Sequence, residues 1–337
     1  MTSSATTLAT TIATTINKPY VLASVFASGV KISSEFLGDI TASQLKIVYF
    51  ISFFLINGIS VSLPGRLDGE LAKEIQDEKK NKQKNKQKTK LTASPISITG
   101  GRTLVAPAPW AFAIWGPIYI TEFLLVLLIT ISPPTSPLLK TFLPTAPYWF
   151  LASLSQSLWC LSFRSTYVKS SNPFYNLSSP IYLTLTSLFL LKIHAMLTKL
   201  AVPWYTHLPI TLHAGWTLCA SIVNVNGSLA YSGFSNKVLR VVGHGSVIAA
   251  VSAAWTVARM GGGGGIAGVV TWALTAVGGG MKERIKNGEG NMEGAKTQEI
   301  ISYAGAVATA GIAVWGGGKQ NSGGGWGNKV GEGMQLF

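Results

Sequence analysis

Charged residues are scarce in this 337-residue chain. Only 12% of the residues are Asp, Glu, Lys or Arg, and only 13 of them are acidic. An ordinary soluble protein carries about a quarter charged residues. The mean hydropathy of +0.35 is also too high for a soluble domain of this length. The composition therefore excludes an ordinary soluble protein and indicates a chain that lies in a lipid bilayer.

The chain also has few residues that could perform catalysis or bind a metal. It contains two cysteines, Cys160 and Cys219, and four histidines, none at the spacing of a zinc site. Both cysteines fall inside apolar segments, where a free thiol behaves as a small hydrophobic side chain. We find no nucleophile motif and no paired carboxylates, so we predict no metal site and no enzymatic activity.

Long apolar segments are abundant. The segment 110–131 contains 22 residues and a single charge, Glu122. As a helix it reaches about 33 Å, enough to cross a hydrocarbon layer of about 30 Å. We predict an all-α fold, a polytopic integral membrane protein with eight spans: 45–63, 110–131, 147–163, 180–197, 208–230, 238–259, 264–279 and 300–315. The seventh span is short and rich in glycine.

Positive charge is concentrated in one connection. Residues 73–90 hold eight of the 27 basic residues, so the net charge of +14 does not indicate a nucleic-acid partner. The segment is either a disordered linker or a site that binds anionic lipid headgroups, and the two interpretations are compatible. If the chain has eight spans, the connections on the same side as this loop hold 18 of the 27 basic residues. Because cytoplasmic loops carry an excess of Lys and Arg, we predict that the insert 66–105 lies on the cytoplasmic side.

Several polar residues lie within the predicted spans. A charge at the bilayer centre costs about 2.5–3.5 kcal/mol, so such residues usually face the bundle interior or mark a pathway. Glu122 lies in mid-span, and we expect it to face the interior. Together with His213 it forms a candidate intramembrane polar site. Lys192 is expected instead to reach the membrane interface.

Aromatic residues cluster at the start of the second span. Trp115 and Tyr119 are four residues apart and share a helix face. They form either an interfacial aromatic belt or a wall against a flat apolar ligand. In the fifth span, Trp216, Ala220 and Asn224 form one stripe, which either packs against a neighbouring helix or contacts a ligand.

These residues carry a family resemblance. The run from Pro109 to Tyr119, PWAFAIWGPIY, resembles a signature of the tryptophan-rich sensory protein (translocator protein, peripheral benzodiazepine receptor) superfamily. The second motif, Leu208-Pro209 through Gly215-Trp216 to Asn224, is similar to that of its longer branch, which has additional C-terminal helices. The resemblance covers about residues 45–315. It implies a five-helix bundle followed by three further transmembrane helices.

The resemblance also implies a function. Members bind flat apolar molecules such as sterols or tetrapyrroles, including haem, and the matching ligand contacts here are Trp110, Trp115, Trp159, Trp216 and Asn224. Two alternatives remain: a secondary transporter that moves a small solute past Glu122 and the histidines, and a membrane-embedded structural or interaction protein. The expected partners are membrane lipids, a small apolar ligand and a second copy of the chain in a homodimer.

The resulting domain layout has four parts. Residues 1–43 form an N-terminal tail, whose first 34 residues suit either organellar targeting or a disordered segment. Residues 44–231 form the five-helix bundle and residues 232–317 the three additional helices. Residues 318–337 form a glycine-rich tail.

Overall fold

The computed structural model describes residues 15, 18–62, 103–163, 167, 172–200, 204–262, 264–288 and 293–322. Within these ranges the regular structure is helical and contains no strand. The α-helices are α1 (Pro19–Phe36), α2 (Ala42–Ser62), α3 (Trp115–Ile131), α4 (Pro137–Phe142), α5 (Ala146–Ser162), α6 (Pro173–Lys199), α7 (Trp204–Tyr231), α8 (Asn236–Val257), α9 (Gly265–Lys286) and α10 (Ala295–Ser322). A 3-10 turn, Pro109–Ile114, leads into α3, and a π-helical turn, Ala258–Gly262, follows α8.

The all-α, membrane-spanning architecture is confirmed. Six stretches of helix are long and apolar enough to cross a bilayer: Ala42–Ile59, Pro109–Ile131, Phe174–Lys199, Tyr205–Tyr231, Asn236–Met260 and Ala295–Gly317. Large apolar side chains such as Phe123, Ile248 and Val307 point out of the protein on these helices. A surface of this kind is stable against lipid and would be a liability in water.

Five helices close into a ring. Helix α3 packs on α2, α2 on α5, α5 on α6, α6 on α7, and α7 returns to α3. These helices are the first five predicted spans, which the family resemblance assigns to one bundle. The largest hydrophobic core cluster includes Ile118, Trp149 and Ile210 of the ring and continues into the C-terminal helices.

Helices α5 and α9 are the two predicted spans that fall outside the six long apolar stretches. Helix α5 has only 17 residues, and 12 of them are buried. Helix α9 ends in the charged sequence from Lys282 to Lys286 but buries half of its 22 residues. Both helices are surrounded by others: α5 by α1, α2 and α6, and α9 by α7, α8 and α10. They therefore contact protein on most sides, where small and hydroxylated residues pack better than large apolar ones.

The segment 103–111 joins the ring to the C-terminal helices. The Ala108 amide donates a hydrogen bond to the Ala276 carbonyl of α9 at 2.8 Å. The Trp272 indole donates to the Ala111 carbonyl at 3.0 Å, and Arg284 donates to the Thr103 carbonyl at 2.8 Å. Three residues of α9, spaced along its length, thus hold this segment against the helix.

Two features differ from the sequence-based expectations. Residues 1–43, expected as a tail, contain helix α1, which packs on α5 through Leu22 and Gly29. The fourth span begins at Pro173 and continues through Pro180, the residue at which we expected it to start. Proline is tolerated inside transmembrane helices because neighbouring groups replace the lost backbone hydrogen bond. The segments 73–90 and 323–337 lie outside the described residues.

Gly280 is required for the contact between α9 and the segment 103–111. A Cβ at this position would lie 2.6 Å from the Ala106 carbonyl oxygen and 2.9 Å from the Ala108 nitrogen. We expect Gly280→Ala to lower stability by about 1–3 kcal/mol, because the neighbouring atoms are backbone and cannot turn away. Thermal unfolding of the purified protein in detergent measures the effect.

Gly268 supplies the matched control on the same helix. No atom lies within 4 Å of a Cβ placed there, so Gly268→Ala should be neutral or slightly stabilising. Equal melting temperatures for the two variants would show that segment 103–111 does not depend on the close approach at Gly280.

Candidate functional site

A cavity of about 570 Å³ lies where α3 and α6 begin and α5 and α7 end. We call it the aromatic cavity. Its volume is within the range of about 300–1,000 Å³ that is usual for small-molecule sites. The residues that line it include Val105, Pro107, Phe112, Trp115, Trp159, Phe163, Asn176, Ser179, Trp216, Ala220, Asn224, Ser228, Ser246, Val247, Ala250, Ala273, Leu274 and Val277.

Three tryptophans from three helices meet at the cavity. The Trp115 and Trp159 rings are nearly parallel, with centroids 6.3 Å apart, and Trp216 stands edge-on to Trp115 at 6.3 Å. Phe112 meets Trp216 edge-on at 5.8 Å, and Phe163 stacks on Trp159 at 5.5 Å. These distances are those of favourable aromatic pairs, so the rings hold one another in fixed orientations.

Asn224 organises the polar end of the cavity. Its side-chain oxygen accepts hydrogen bonds from the Ser179 hydroxyl at 2.6 Å and from the Trp159 indole at 3.4 Å. Its amide nitrogen donates to the Ala220 carbonyl one turn earlier. The amide therefore links α5, α6 and α7 and fixes the Trp159 ring.

The opposite side of the cavity comes from the C-terminal helices. Val247 and Ala250 of α8 and Ala273, Leu274 and Val277 of α9 line it with apolar atoms. Segment 103–111 adds Val105 and Pro107. The cavity thus crosses the boundary that we expected near residue 231 between the five-helix bundle and the additional helices.

Four of the five predicted ligand contacts lie together. Trp115, Trp159, Trp216 and Asn224 all line the aromatic cavity. Trp110 does not: its ring packs edge-on against Trp272 of α9 at 4.8 Å, and 44% of its surface is exposed. The 3-10 turn Pro109–Ile114 explains the separation, because it places Trp110 before the helical register that Trp115 begins.

Glu122 and His213 form a buried pair inside the ring. Glu122 Oε1 and His213 Nδ1 are 2.6 Å apart, and the side chains are 0% and 1% exposed. Glu122 thus faces the bundle interior, as expected. The other polar atoms of the pair, Glu122 Oε2 and His213 Nε2, have no hydrogen-bond partner among the described residues. The His213 ring lies edge-on to Trp115 at 5.6 Å, and neither His213 nor Glu122 lines the aromatic cavity.

The other polar residues of the spans make interhelical contacts. His194 pairs with Thr211, and His244 pairs with Gln298 of α10 at 2.7 Å. Gln156 donates to the Tyr119 hydroxyl at 3.4 Å. Lys192 lies over the Tyr148 ring. Within the ranges that the structure describes, no three His, Cys, Asp or Glu side chains come close enough to hold a metal.

The fold and the cavity define a class: a multi-pass helical membrane protein with an aromatic-lined cavity between its helices. The family model described as TSPO-like protein matches residues 83–315, more than two thirds of the chain. The chain belongs to the TSPO-like protein family. The match includes α3 to α9 and most of α10, and leaves α1 and α2 outside. No curated protein and no solved structure matches the chain.

Sequence reasoning missed the wall from α8 and α9. Its residues are small or aliphatic, such as Ala250 and Ala273, and such residues occur throughout the spans. It also missed Ser179, whose hydroxyl bonds Asn224. The spacing of Trp216, Ala220 and Asn224 did predict the stripe, because three residues four apart must share one helix face.

We expect the Glu122–His213 pair to contribute to stability as a unit. Glu122→Leu or His213→Leu leaves the partner buried without its hydrogen bond, whereas the double replacement removes both groups. In double-mutant cycles of this kind, interhelical hydrogen bonds in membranes contribute about 0.6 kcal/mol on average and about 1.7 kcal/mol at most. Thermal unfolding of the two single variants and the double variant in detergent gives this coupling.

Glu122→Gln serves as the conservative variant in the same series. It keeps an oxygen that can accept from His213, so it should fold, insert and lose less stability than Glu122→Leu. Strictly additive losses in the cycle would show that the pair contributes no coupling.

Proposed function

We propose that this protein is a membrane receptor or carrier that binds a flat, apolar small molecule, such as a sterol or a tetrapyrrole, in the aromatic cavity. The observation that carries the proposal is the convergence of Trp115, Trp159 and Trp216 on one cavity. Family membership favours a receptor or transporter over an enzyme.

The chemistry of the lining supports a flat ligand. Large aromatic faces bind planar molecules by offset stacking, and each favourable pair adds about 0.5–1.5 kcal/mol beyond burial. Trp159 is fixed by its hydrogen bond to Asn224, and Trp115 by its contacts with Tyr119 and His213. A wall that is already ordered loses little entropy when a ligand binds.

The arrangement gives less support to the alternatives. A transporter that used Glu122 and His213 would need the solute to reach them, but both side chains are buried and neither lines the aromatic cavity. An interaction protein would use the Lys-rich segment 73–90, which lies outside the described residues. Binding of its lysines to anionic headgroups remains a proposal that rests on charge alone.

We expect Trp115→Leu and Trp159→Leu each to weaken binding of a tetrapyrrole about 2- to 10-fold, which corresponds to the loss of one aromatic contact. Trp255→Leu should leave affinity unchanged, because Trp255 pairs with Trp315 at the far end of α8. Trp110→Leu should also leave affinity unchanged, because Trp110 does not line the aromatic cavity. Quenching of intrinsic fluorescence during titration, in protein reconstituted into lipid nanodiscs, gives the affinities.

The melting temperature of each preparation separates a binding role from a packing role. A loss of stability with unchanged affinity of the folded fraction would identify Trp115 and Trp159 as packing residues. Equal affinity across all four variants would contradict a ligand site in the aromatic cavity.

The wall from α8 provides an independent test. Ala250 is buried and lines the cavity, whereas its neighbour Ala249 is exposed on the outer face of the same helix. Ala250→Phe should fill part of the cavity and reduce affinity at least tenfold, while Ala249→Phe should bind as the wild type does. Full binding by both variants would place the ligand elsewhere.

A further inference from the structure

Helix α1 has the length and the charge distribution of a helix that crosses a membrane. Its 18 residues rise about 27 Å. Residues 19–30 carry no charge, and the two charged side chains, Lys31 and Glu35, lie in the last two turns and pair with each other. Such a pair can reach the membrane surface while the rest of the helix stays in hydrocarbon. These charges and the serines explain why α1 lies outside the six long apolar stretches.

The serines of α1 do not require water. The Ser24 hydroxyl donates to the Tyr20 carbonyl at 2.9 Å, and the Ser28 hydroxyl donates to the Ser24 carbonyl at 3.0 Å. Their hydrogen bonds are thus made within the helix, as polar groups inside a bilayer need.

Contacts with α5 fix the direction of α1. Leu22, near the start of α1, belongs to a buried cluster with Leu158 from the last turns of α5. Gly29, two turns later, lies against Phe150 and Leu154, nearer the start of α5. The contacts move back along α5 as α1 proceeds, so the two helices are antiparallel. Because both helices rise equally per residue, α1 extends along nearly the whole of α5.

Helix α2 relates this direction to the insert 66–105. The Tyr49 ring stacks on Trp149 at 4.8 Å, and the Ser157 hydroxyl donates to the Leu55 carbonyl at 3.5 Å. The two pairs advance together along the chain, so α2 runs parallel to α5 and antiparallel to α1. The start of α1 therefore lies at the end of the bundle where α2 ends and the sequence continues into the insert.

The outer face of α1 is apolar. Tyr20, Val25 and Ile32 are exposed on it, and an open groove between α1 and α5 is lined mainly by apolar side chains. Helix α2, which also packs on α5, exposes Phe50 and Phe54. The face of α1 thus continues the apolar surface that the other long helices present to lipid.

We infer that α1 is a further transmembrane helix, that its outer face contacts lipid acyl chains, and that the residues before Pro19 lie on the same side of the membrane as the insert 66–105. The eight predicted spans alone would place the residues before α2 on the opposite side, together with the end of α10. This topology does not depend on which ligand the aromatic cavity binds.

Labelling of single cysteines shows which face of the membrane each end of α1 reaches. Lys18 and Asp39 flank α1, Asn287 follows α9 at the end of the bundle nearest the insert, and Lys140 lies at the opposite end; all four are exposed. Each is replaced by Cys, and sealed vesicles are treated with a maleimide that cannot the bilayer. We expect Lys18→Cys to be labelled from the same face as Asn287→Cys, and Asp39→Cys from the face of Lys140→Cys.

The wild-type protein is the control for this labelling, because Cys160 and Cys219 are both buried. Treatment after detergent is added shows that each introduced thiol can react. Labelling of Lys18→Cys and Asp39→Cys from one and the same face would overturn the inference, because α1 would then not cross the bilayer.

A spin label at Val25→Cys tests the contact with lipid. Its collisions with oxygen, which partitions into lipid, are compared with its collisions with a nickel complex that stays in water. Ile248→Cys, on the exposed face of α8, is the lipid reference, and Lys140→Cys is the water reference. We expect Val25→Cys to match Ile248→Cys. A match to Lys140→Cys would place α1 in water, and shielding from both reagents would place a second copy of the chain on α1; either result would overturn the inference.

Discussion

The contact between segment 103–111 and α9 is the interaction on which the rest of the site depends. Hydrogen bonds to the Ala276 carbonyl, from Trp272 and from Arg284 hold the segment on the helix, and Gly280 leaves room for its backbone. The segment leads directly into the turn before Trp115. Its position on α9 therefore brings the aromatic residues of the five-helix ring against the wall that α8 and α9 form, which is apolar except for Ser246.

A second constraint is the need to satisfy polar groups inside a membrane. Ser and Thr hydroxyls along the buried helices bond the carbonyl one turn earlier, as Ser153 and Thr217 do. Asn224 and the Glu122–His213 pair bond between helices instead. Because water is absent from the bilayer core, each such bond fixes the relative rotation of two helices. The polar residues thus determine which faces of α3 and α7 meet.

The sequence predicted much of the fold because transmembrane helices depend on length and apolar content. All eight predicted spans are helices in the structure, and six of their helices contain the stretches long and apolar enough to cross a bilayer. Helix α1 was missed because its Ser and Thr content resembles that of an unstructured tail. Its packing on α5 depends on Gly29, beside Leu154, a contact between residues far apart in the chain.

The candidate site was predictable only where its residues carry a distinctive type at a helical spacing. Trp115, Trp216 and Asn224 met that condition. Trp110 shares the motif, but a 3-10 turn has different geometry from an α-helix and directs it towards α9. The positions of Ala250 and Ala273 at the cavity could not be predicted from the sequence, because an alanine that lines a cavity has the same side chain as one that packs against a helix.

The division of the cavity between two parts of the chain has a consequence for biogenesis. All three cavity tryptophans belong to helices that end by Tyr231, whereas most of the opposite wall comes from α8 and α9. During synthesis from the N-terminus, the tryptophan faces are inserted before the residues that enclose them. That side of the ring is therefore completed by protein only when α8 and α9 follow.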